Sequence, residues 1–210
     1  MDGTDTGERR HAATMSGALP RISLVRHGET AWTLSGQHTG RSDIALTEQG
    51  ESDARQLSVP LRDTRFATVL TSPLQRARRT AELAGFGESA EADPDLMEWD
   101  YGAYEGRRTA EIRAERPGWR LFQDGCPGGE TLDAVSMRAD RVVSRIRRLG
   151  SDVLIFSHRD LLRILAARWL GLPAIQARHF YLATSSLSVL SYDHDLSEPV
   201  IRAWNEAGHR

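Results

Sequence analysis

The sequence predicts an α/β fold: a mostly parallel sheet with helices on both faces, in three layers. Short apolar runs rich in β-branched residues recur along the chain, and segments of helical periodicity alternate with them. The runs are apolar throughout, as in strands covered on both faces. Their order, strand, helix, strand, helix, long insert, helix, strand, helix, strand, is that of a parallel sheet wrapped by its crossover helices.

The first strand is "RISLV", residues 21 to 25, and a loop follows it. "TEQGESDARQLSVPL" opens on Thr47, a capping-type residue, and carries Ala54, Leu57 and Leu61 near helical spacing. "ATVLTS", 67 to 72, reads as the second strand. "SPLQRARRTAEL" then places Ser72 at the N-cap and Pro73 at the first helical position. Residues 85 to 130 are rich in glycine, acidic and aromatic residues, and only one short helix, around 107 to 115, is expected there. An insert of that length in a compact domain is usually functional. From Thr131 the positions Leu132, Val135, Ala139, Val142, Val143, Ile146 and Leu149 follow the i, i+3, i+4 rule as far as Gly150. "DVLIFS", 152 to 157, is the third strand, and a helix then runs through Leu170 to Gly171 with Pro173 just beyond. "SLSVLSY" makes an alternating last strand and "VIRAW" an edge.

A chain of 210 residues suits one domain, here 20 to 210 with the insert at 85 to 130. Residues 1 to 19 lack apolar periodicity and read as a disordered extension, within which Met15 offers an alternative start. Lys+Arg 27 against Asp+Glu 29 leaves a net charge of -2, so no global basic field draws the protein to nucleic acid or to an anionic membrane. Cys126 is the only cysteine, which excludes an intrachain disulfide and suits a reducing compartment. The polar N-terminus has no apolar segment of the kind a signal peptide needs, and the cytoplasm is the expected location. The longest apolar stretch is interrupted by Arg159, Asp160, Arg163 and Arg168, a pattern costly in a bilayer. Aromatic residues near the C-terminus suggest a homodimer.

Ligands of such sheets bind beyond the carboxyl ends of the strands. Arg26 and His27 follow the first strand, Arg76 sits inside the helix after the second, and His158 closes the third. Guanidinium forks match phosphate oxygens and keep their charge, and helix N-termini near Ser72 and Arg159 would add N–H donors. The edge reads as an anion pocket for a small phosphate ester. An imidazole with an ordinary pKa of about 6.5 is a competent nucleophile near neutrality. Gly28 is expected to let the backbone pass beneath the ligand. Glu98, beside Trp99, Tyr101 and Tyr104, is the leading proton donor, since aromatic neighbours desolvate a carboxyl and raise its pKa.

Plainer readings exist for the same residues. An Arg-His pair at a strand end also suits a solvated loop, Arg76 among Arg78 and Arg79 a solvated helix face, and His158 beside Asp160 a capped helix start. A metal site from His27, His38 and His158 with Asp160 is disfavoured, because Arg26 and Arg76 would repel a dication.

Together "LVRHGET", "SPLQRARRTAEL", "EWDYGAYEG" and "FSHRD" resemble the histidine phosphatase superfamily, the phosphoglycerate-mutase-like clan, over about residues 21 to 192. The resemblance implies a phosphorylated nucleophile at His27, a phosphate pocket completed by Arg26, Arg76 and a protonated His158, and a proton donor at Glu98. It implies no metal and no organic cofactor. "SGQHTG", "DGCPGGE" and "LSYDH" look similar to acid and sugar-phosphate phosphatases, among them the sedoheptulose bisphosphatase type and actinobacterial broad-specificity acid phosphatases. Substrate contacts are expected from Thr33, Gln37, His38, Thr39, Tyr101 and Arg159. Mutases of the clan usually carry Asn where Thr33 stands and have longer inserts, and the family commonly has Gly where Arg159 follows His158. The expected activity is hydrolysis of small phosphorylated metabolites such as sugar phosphates. The alternatives are a phosphoglycerate mutase or a phosphate-binding module without turnover.

Overall fold

In the computed structural model, which describes residues 18–207, the chain enters β1 (Ile22–Arg26) and turns through α1 (Ala31–Ser35) to α2 (Glu48–Gln56) and α3 (Ser58–Leu61). β2 (Thr68–Thr71) leads to α4 (Gln75–Leu83) and a short β3 (Ala90–Ala92). The insert contributes α5 (Thr109–Glu115) and α6 (Leu121–Asp124), besides 3-10 turns at Pro94–Leu96 and Gly102–Tyr104. The long α7 (Leu132–Leu149) precedes β4 (Val153–Ser157) and α8 (Arg159–Trp169). A 3-10 turn at Ala174–His179 and the antiparallel pair β5 (Ser186–Tyr192) and β6 (Pro199–Ala207) complete the domain.

The six strands form one sheet in the order β3-β2-β4-β1-β5-β6. β1, β2, β3 and β4 run parallel, with Leu24 beside Ile155 and Arg26 beside Ser157, while β5 and β6 are antiparallel. This order sets the carboxyl ends of β1, β4 and β2 side by side, the edge at which such sheets hold ligands. The continuous apolar character of β1 and β4 has its cause in two cores. Leu24 and Ile155 face α7 and α8 with Leu165 and Trp169, whereas Val25, Leu154 and Phe156 face Leu57, Leu61 and Ala81. Side chains of a strand alternate between faces, so each run feeds both cores.

α7 matches its periodicity. Thr131 caps it by accepting from the Ala134 amide, and Val135, Ala139, Val142, Val143 and Ile146 are buried. The left-handed Gly150 ends it (φ 57°).

Several boundaries differ from the sequence reading. α4 starts at Gln75, not at Pro73: Leu74 is extended, the Gln75 amide donates to Asp43 Oδ1, and the Ser72 hydroxyl is turned to His158. α1 occupies what reads as loop, since its capping box of Thr30 and Thr33 lacks an apolar stripe. The insert holds more structure than one short helix because its core is aromatic rather than periodic: Trp99, Tyr104, Trp119 and Phe122 are buried, in edge-on pairs 5.3 to 5.5 Å apart. β5 is buried on both faces instead of alternating. The expected N-terminal extension lies outside the described residues except for Ala18 and Leu19, and Leu19 packs on the core. Among the described residues no helix is long and apolar enough to cross a membrane.

Gly28 and Gly50 explain how α2 docks. A Cβ on Gly50 would lie 2.2 Å from the Glu29 carbonyl, and one on Gly28 would lie 2.6 Å from the Gly50 carbonyl. Gly28 therefore makes room for a helix, not for a ligand.

Candidate active site

β1 delivers His27 at its carboxyl end, and burial fixes the ring's chemistry. Nδ1 lies 2.7 Å from the Gly28 carbonyl and can only donate there, so that nitrogen carries the proton and Nε2 is left as a bare lone pair. Burial, then Arg76 and Arg26, hold the imidazole well below its ordinary pKa, and the ring is neutral at physiological pH.

The cations come from two elements, β1 and α4. Arg26 donates from Nη1 to the Leu182 carbonyl at 2.7 Å, and its buried Nε has no partner among the described residues. Burial and Arg159 lower its pKa to about 10, which still leaves it charged. Arg76, fully buried near the start of α4, is held by the carbonyls of Thr39, Gly40 and Ser42 through its two Nη atoms. Its Nε donates to His158 Nδ1 at 3.2 Å. His158 then carries its proton on Nε2, which donates to Ser72 Oγ at 2.7 Å, and its ring lies 5.2 Å from that of His27.

His158 is neutral in this arrangement. Burial, followed by Arg76 and His27, pushes its pKa well below the ordinary value, and an Nδ1 accepting from a guanidinium has no room for a second proton.

Glu98 reaches the same pocket from the insert. One carboxylate oxygen accepts from the amides of Trp99 and Leu161 and the other from the amide of Asp160. The N-terminal amides of α8 are thus turned on Glu98, and the Gln75 amide of α4 on Asp43, instead of on the ligand as expected from the sequence. Burial and the neighbouring Asp160 nevertheless raise Glu98 to about 7. Burial works against ionised Asp160 as well, yet Arg163 and Arg159 outweigh it and keep this carboxyl below its ordinary value. Of the two adjacent acids, Glu98 is the one that holds a proton near neutrality.

A cavity of about 130 Å³ opens above these groups, lined by Arg26, His27, Glu98 and all six expected substrate contacts. Arg76 and His158 lie behind its wall. The family model of the histidine phosphatase superfamily (branch 1) matches residues 22–207, spanning the whole site.

The chain belongs to the histidine phosphatase superfamily.

Relatives in the superfamily include an acid phosphatase of Mycobacterium tuberculosis, 37% identical over 182 residues (85% of this chain, 89% of the relative). The sedoheptulose 1,7-bisphosphatase of Saccharomyces cerevisiae is 37% identical over 191 residues (75% of this chain, 70% of the relative). A protein of Erwinia tasmaniensis that bears a phosphoglycerate mutase name is 36% identical over 194 residues (88% and 89%). The solved structure of an open reading frame product from Mycobacterium tuberculosis superposes with a TM-score of 0.85 at 34% identity, covering 90% of this chain and 99% of that one. It shares the α/β architecture described above.

Within this superfamily frame, the six substrate contacts expected from the sequence are not equivalent. The Thr33 hydroxyl is spent on the α1 capping box, Gln37 bonds Ser35 and the Gly106 carbonyl, and Thr39 donates to the Gln37 carbonyl. Tyr101 donates to Asp160 at 2.7 Å, and His38 packs on the rings of Tyr101 and Trp119 with Nε2 3.3 Å from Thr109 Oγ1. The Arg159 side chain makes no hydrogen bond or ion pair among the described residues.

The sequence reading gave two residues no part in the phosphate pocket. Asp160 links Tyr101 to Arg163 and sits against Glu98. Arg138, buried on α7, donates to the carbonyls of Asp95, Met97 and Glu98 and pairs with Glu130 at 2.8 Å, which clamps the strand of chain carrying Glu98. A signal was present: Arg138 falls on the apolar stripe of α7, three residues after Val135 and one before Ala139, where a solvated arginine has no place.

Proposed function

We propose that the protein hydrolyses phosphate monoesters of small metabolites, sugar phosphates or similar, through a phosphohistidine on His27. Nε2 of His27 attacks phosphorus in line as the ester P–O bond breaks, and Glu98 gives its proton to the departing oxygen. Glu98, now ionised, takes a proton from a water molecule whose oxygen attacks phosphorus. The P–N bond breaks, inorganic phosphate leaves, and both residues return to their starting states. Arg26 and Arg76 balance the charge on the transferring group, and His158 holds Arg76 in place through Nδ1. An arriving phosphate dianion raises the pKa of both imidazoles, and a protonated His158 has to release the Arg76 Nε from its Nδ1.

The observation that carries this reading is the tautomer of His27: a neutral, buried ring on the pocket wall, with Nε2 as its only bare nitrogen and Arg26 lining the same pocket. His27→Ala is expected to abolish turnover of para-nitrophenyl phosphate. The wild type, quenched in alkali during turnover, should hold a base-stable, acid-labile phosphate that the variant lacks. Near-normal turnover by the variant defeats the proposal.

Phosphoglycerate mutase activity is the second reading, supported by the relative bearing that name. A coupled assay separates the two, since an isomerase interconverts phosphoglycerates faster than it releases phosphate. The cytoplasm remains our proposed location, on the strength of the single half-buried cysteine.

A further inference from the structure

We infer that Thr80 is a positioning residue for the nucleophile: its buried hydroxyl ties the Gly28 amide, next to His27, to the backbone of Arg76, and so fixes how the His27 ring meets the phosphate. This rests on the hydrolase reading and deepens it. The Thr80 hydroxyl accepts from the Gly28 amide at 3.0 Å and donates to the Arg76 carbonyl at 2.7 Å, and the residue is wholly buried on α4. A single oxygen thereby joins the loop of the nucleophile to the helix that carries Arg76.

A plainer role accounts for only half of this. A threonine inside a helix often returns its hydroxyl to the carbonyl four residues earlier, as Thr80 does to Arg76. That habit leaves the lone pairs of the oxygen free, and here the Gly28 amide takes one, with no other acceptor among the described residues. The need for the bond comes from Gly28 itself. Its Cα must be bare, since a Cβ there would lie 2.6 Å from the Gly50 carbonyl, and a residue without Cβ has the least restricted torsions of the chain. Yet its carbonyl is the group that accepts from His27 Nδ1 at 2.7 Å and decides which imidazole nitrogen stays bare. The peptide between His27 and Gly28 is accordingly held on both sides, its N–H by Thr80 and its C=O by the Ser185 amide at 3.2 Å. Without the hydroxyl, a buried N–H loses its partner. The loop can satisfy that N–H only by rotating the peptide, which carries the Gly28 carbonyl away from Nδ1.

Two substitutions test this. Thr80→Val keeps the shape and removes the hydroxyl, and Thr80→Ser keeps the hydroxyl. Nitrogen-15 NMR of the histidine rings, with His27 assigned by its absence from His27→Ala, reads the tautomer without substrate. The wild type and the serine variant should carry the His27 proton on Nδ1, and the valine variant should lose that uniform state. With para-nitrophenyl phosphate, kcat of Thr80→Val should fall by about 10- to 100-fold, the loss that a displacement on the order of 1 Å brings, while KM moves by less than about threefold. Thr80→Ser should recover most of kcat. A merely structural threonine would lower the urea midpoint and leave tautomer and kcat as they are. An unchanged tautomer, an unchanged kcat, or a serine variant that restores neither overturns the proposal. Should the valine variant not fold, Thr80→Cys, whose thiol fills the space and accepts poorly, takes its place with the same expected results. The two readings fail apart: near-normal turnover by His27→Ala defeats hydrolysis through His27 and leaves the tautomer measurement standing, whereas an unchanged tautomer in Thr80→Val defeats the role of Thr80 alone.

Discussion

Glu98 has two opposing demands on it: three backbone amides favour its ionised form, and burial beside Asp160 favours the neutral one. The balance, about 7, fixes the sign of its pH dependence. A general acid must be protonated to act, so kcat/KM for an alkyl phosphate should fall as pH rises through about 7. The substrate phosphate ionises near about 6, which shapes the acid limb and leaves the alkaline limb as the diagnostic one. Glu98→Gln should flatten that alkaline limb and lower alkyl phosphate turnover by roughly 10²- to 10⁴-fold. The loss should be smaller with para-nitrophenyl phosphate, whose leaving group needs no proton. An unaltered alkaline limb in the variant rules Glu98 out as the donor. At this scale residue types were legible and charge states were not. "LVRHGET" and "FSHRD" exposed both histidines, but His158 is neutral because of burial and then of Arg76, which lies 82 positions away in sequence. The acceptors of the α8 amides were equally hidden, since Glu98 stands some sixty residues earlier.

α2 provides a sharp test of packing against propensity. In an exposed helix, replacing Gly by Ala gains up to about 1 kcal/mol. At Gly50 the new methyl would meet the Glu29 carbonyl at 2.2 Å, and such overpacking costs about 1–3 kcal/mol. Gly50→Ala should therefore destabilise the protein, lowering the urea midpoint with an unchanged m-value. A raised midpoint would show the contact to be soft. The helical stretch was legible from Thr47 and the spacing of Ala54, Leu57 and Leu61, all buried apart from the capping threonine, although at Leu57 it divides into α2 and α3. Its internal glycine was not, because the reason for it lies in another segment. The start of α4 was misplaced for a similar cause: Ser72 and Pro73 have the right chemistry for a helix start, and a contact with His158 diverts the serine. Within the insert, periodicity was the wrong instrument, as Trp99, Trp119 and Phe122 build a core from turns.

For the whole molecule, the alternation of apolar runs with helical periods determined the architecture, and the central strands should also dominate its stability. β1 and β4 are paired on both sides and buried, while β3 and β6 are edges. Native-state hydrogen exchange should find its slowest amides in β1 and β4 and much faster ones in β6 and β3. Fastest exchange in β1 would contradict the described topology. The origin of each wall of the site has a consequence for how the protein can change. His27 and His158 stand at the ends of β1 and β4, Arg76 stands at the start of α4, and Glu98 is tied back to α7 and α8 by Arg138 and two amides. By contrast, Arg113 and Arg120 stand on a stretch joined to the rest of the domain by the Gln37–Arg108 bridge, the His38–Arg107 backbone bond and the buried side chains of Ile112, Trp119 and Phe122. Exchanging residues 107 to 126 for another sequence of like aromatic content would retarget the enzyme while sparing its reactive machinery, a division of labour that lets one chassis accept many tools.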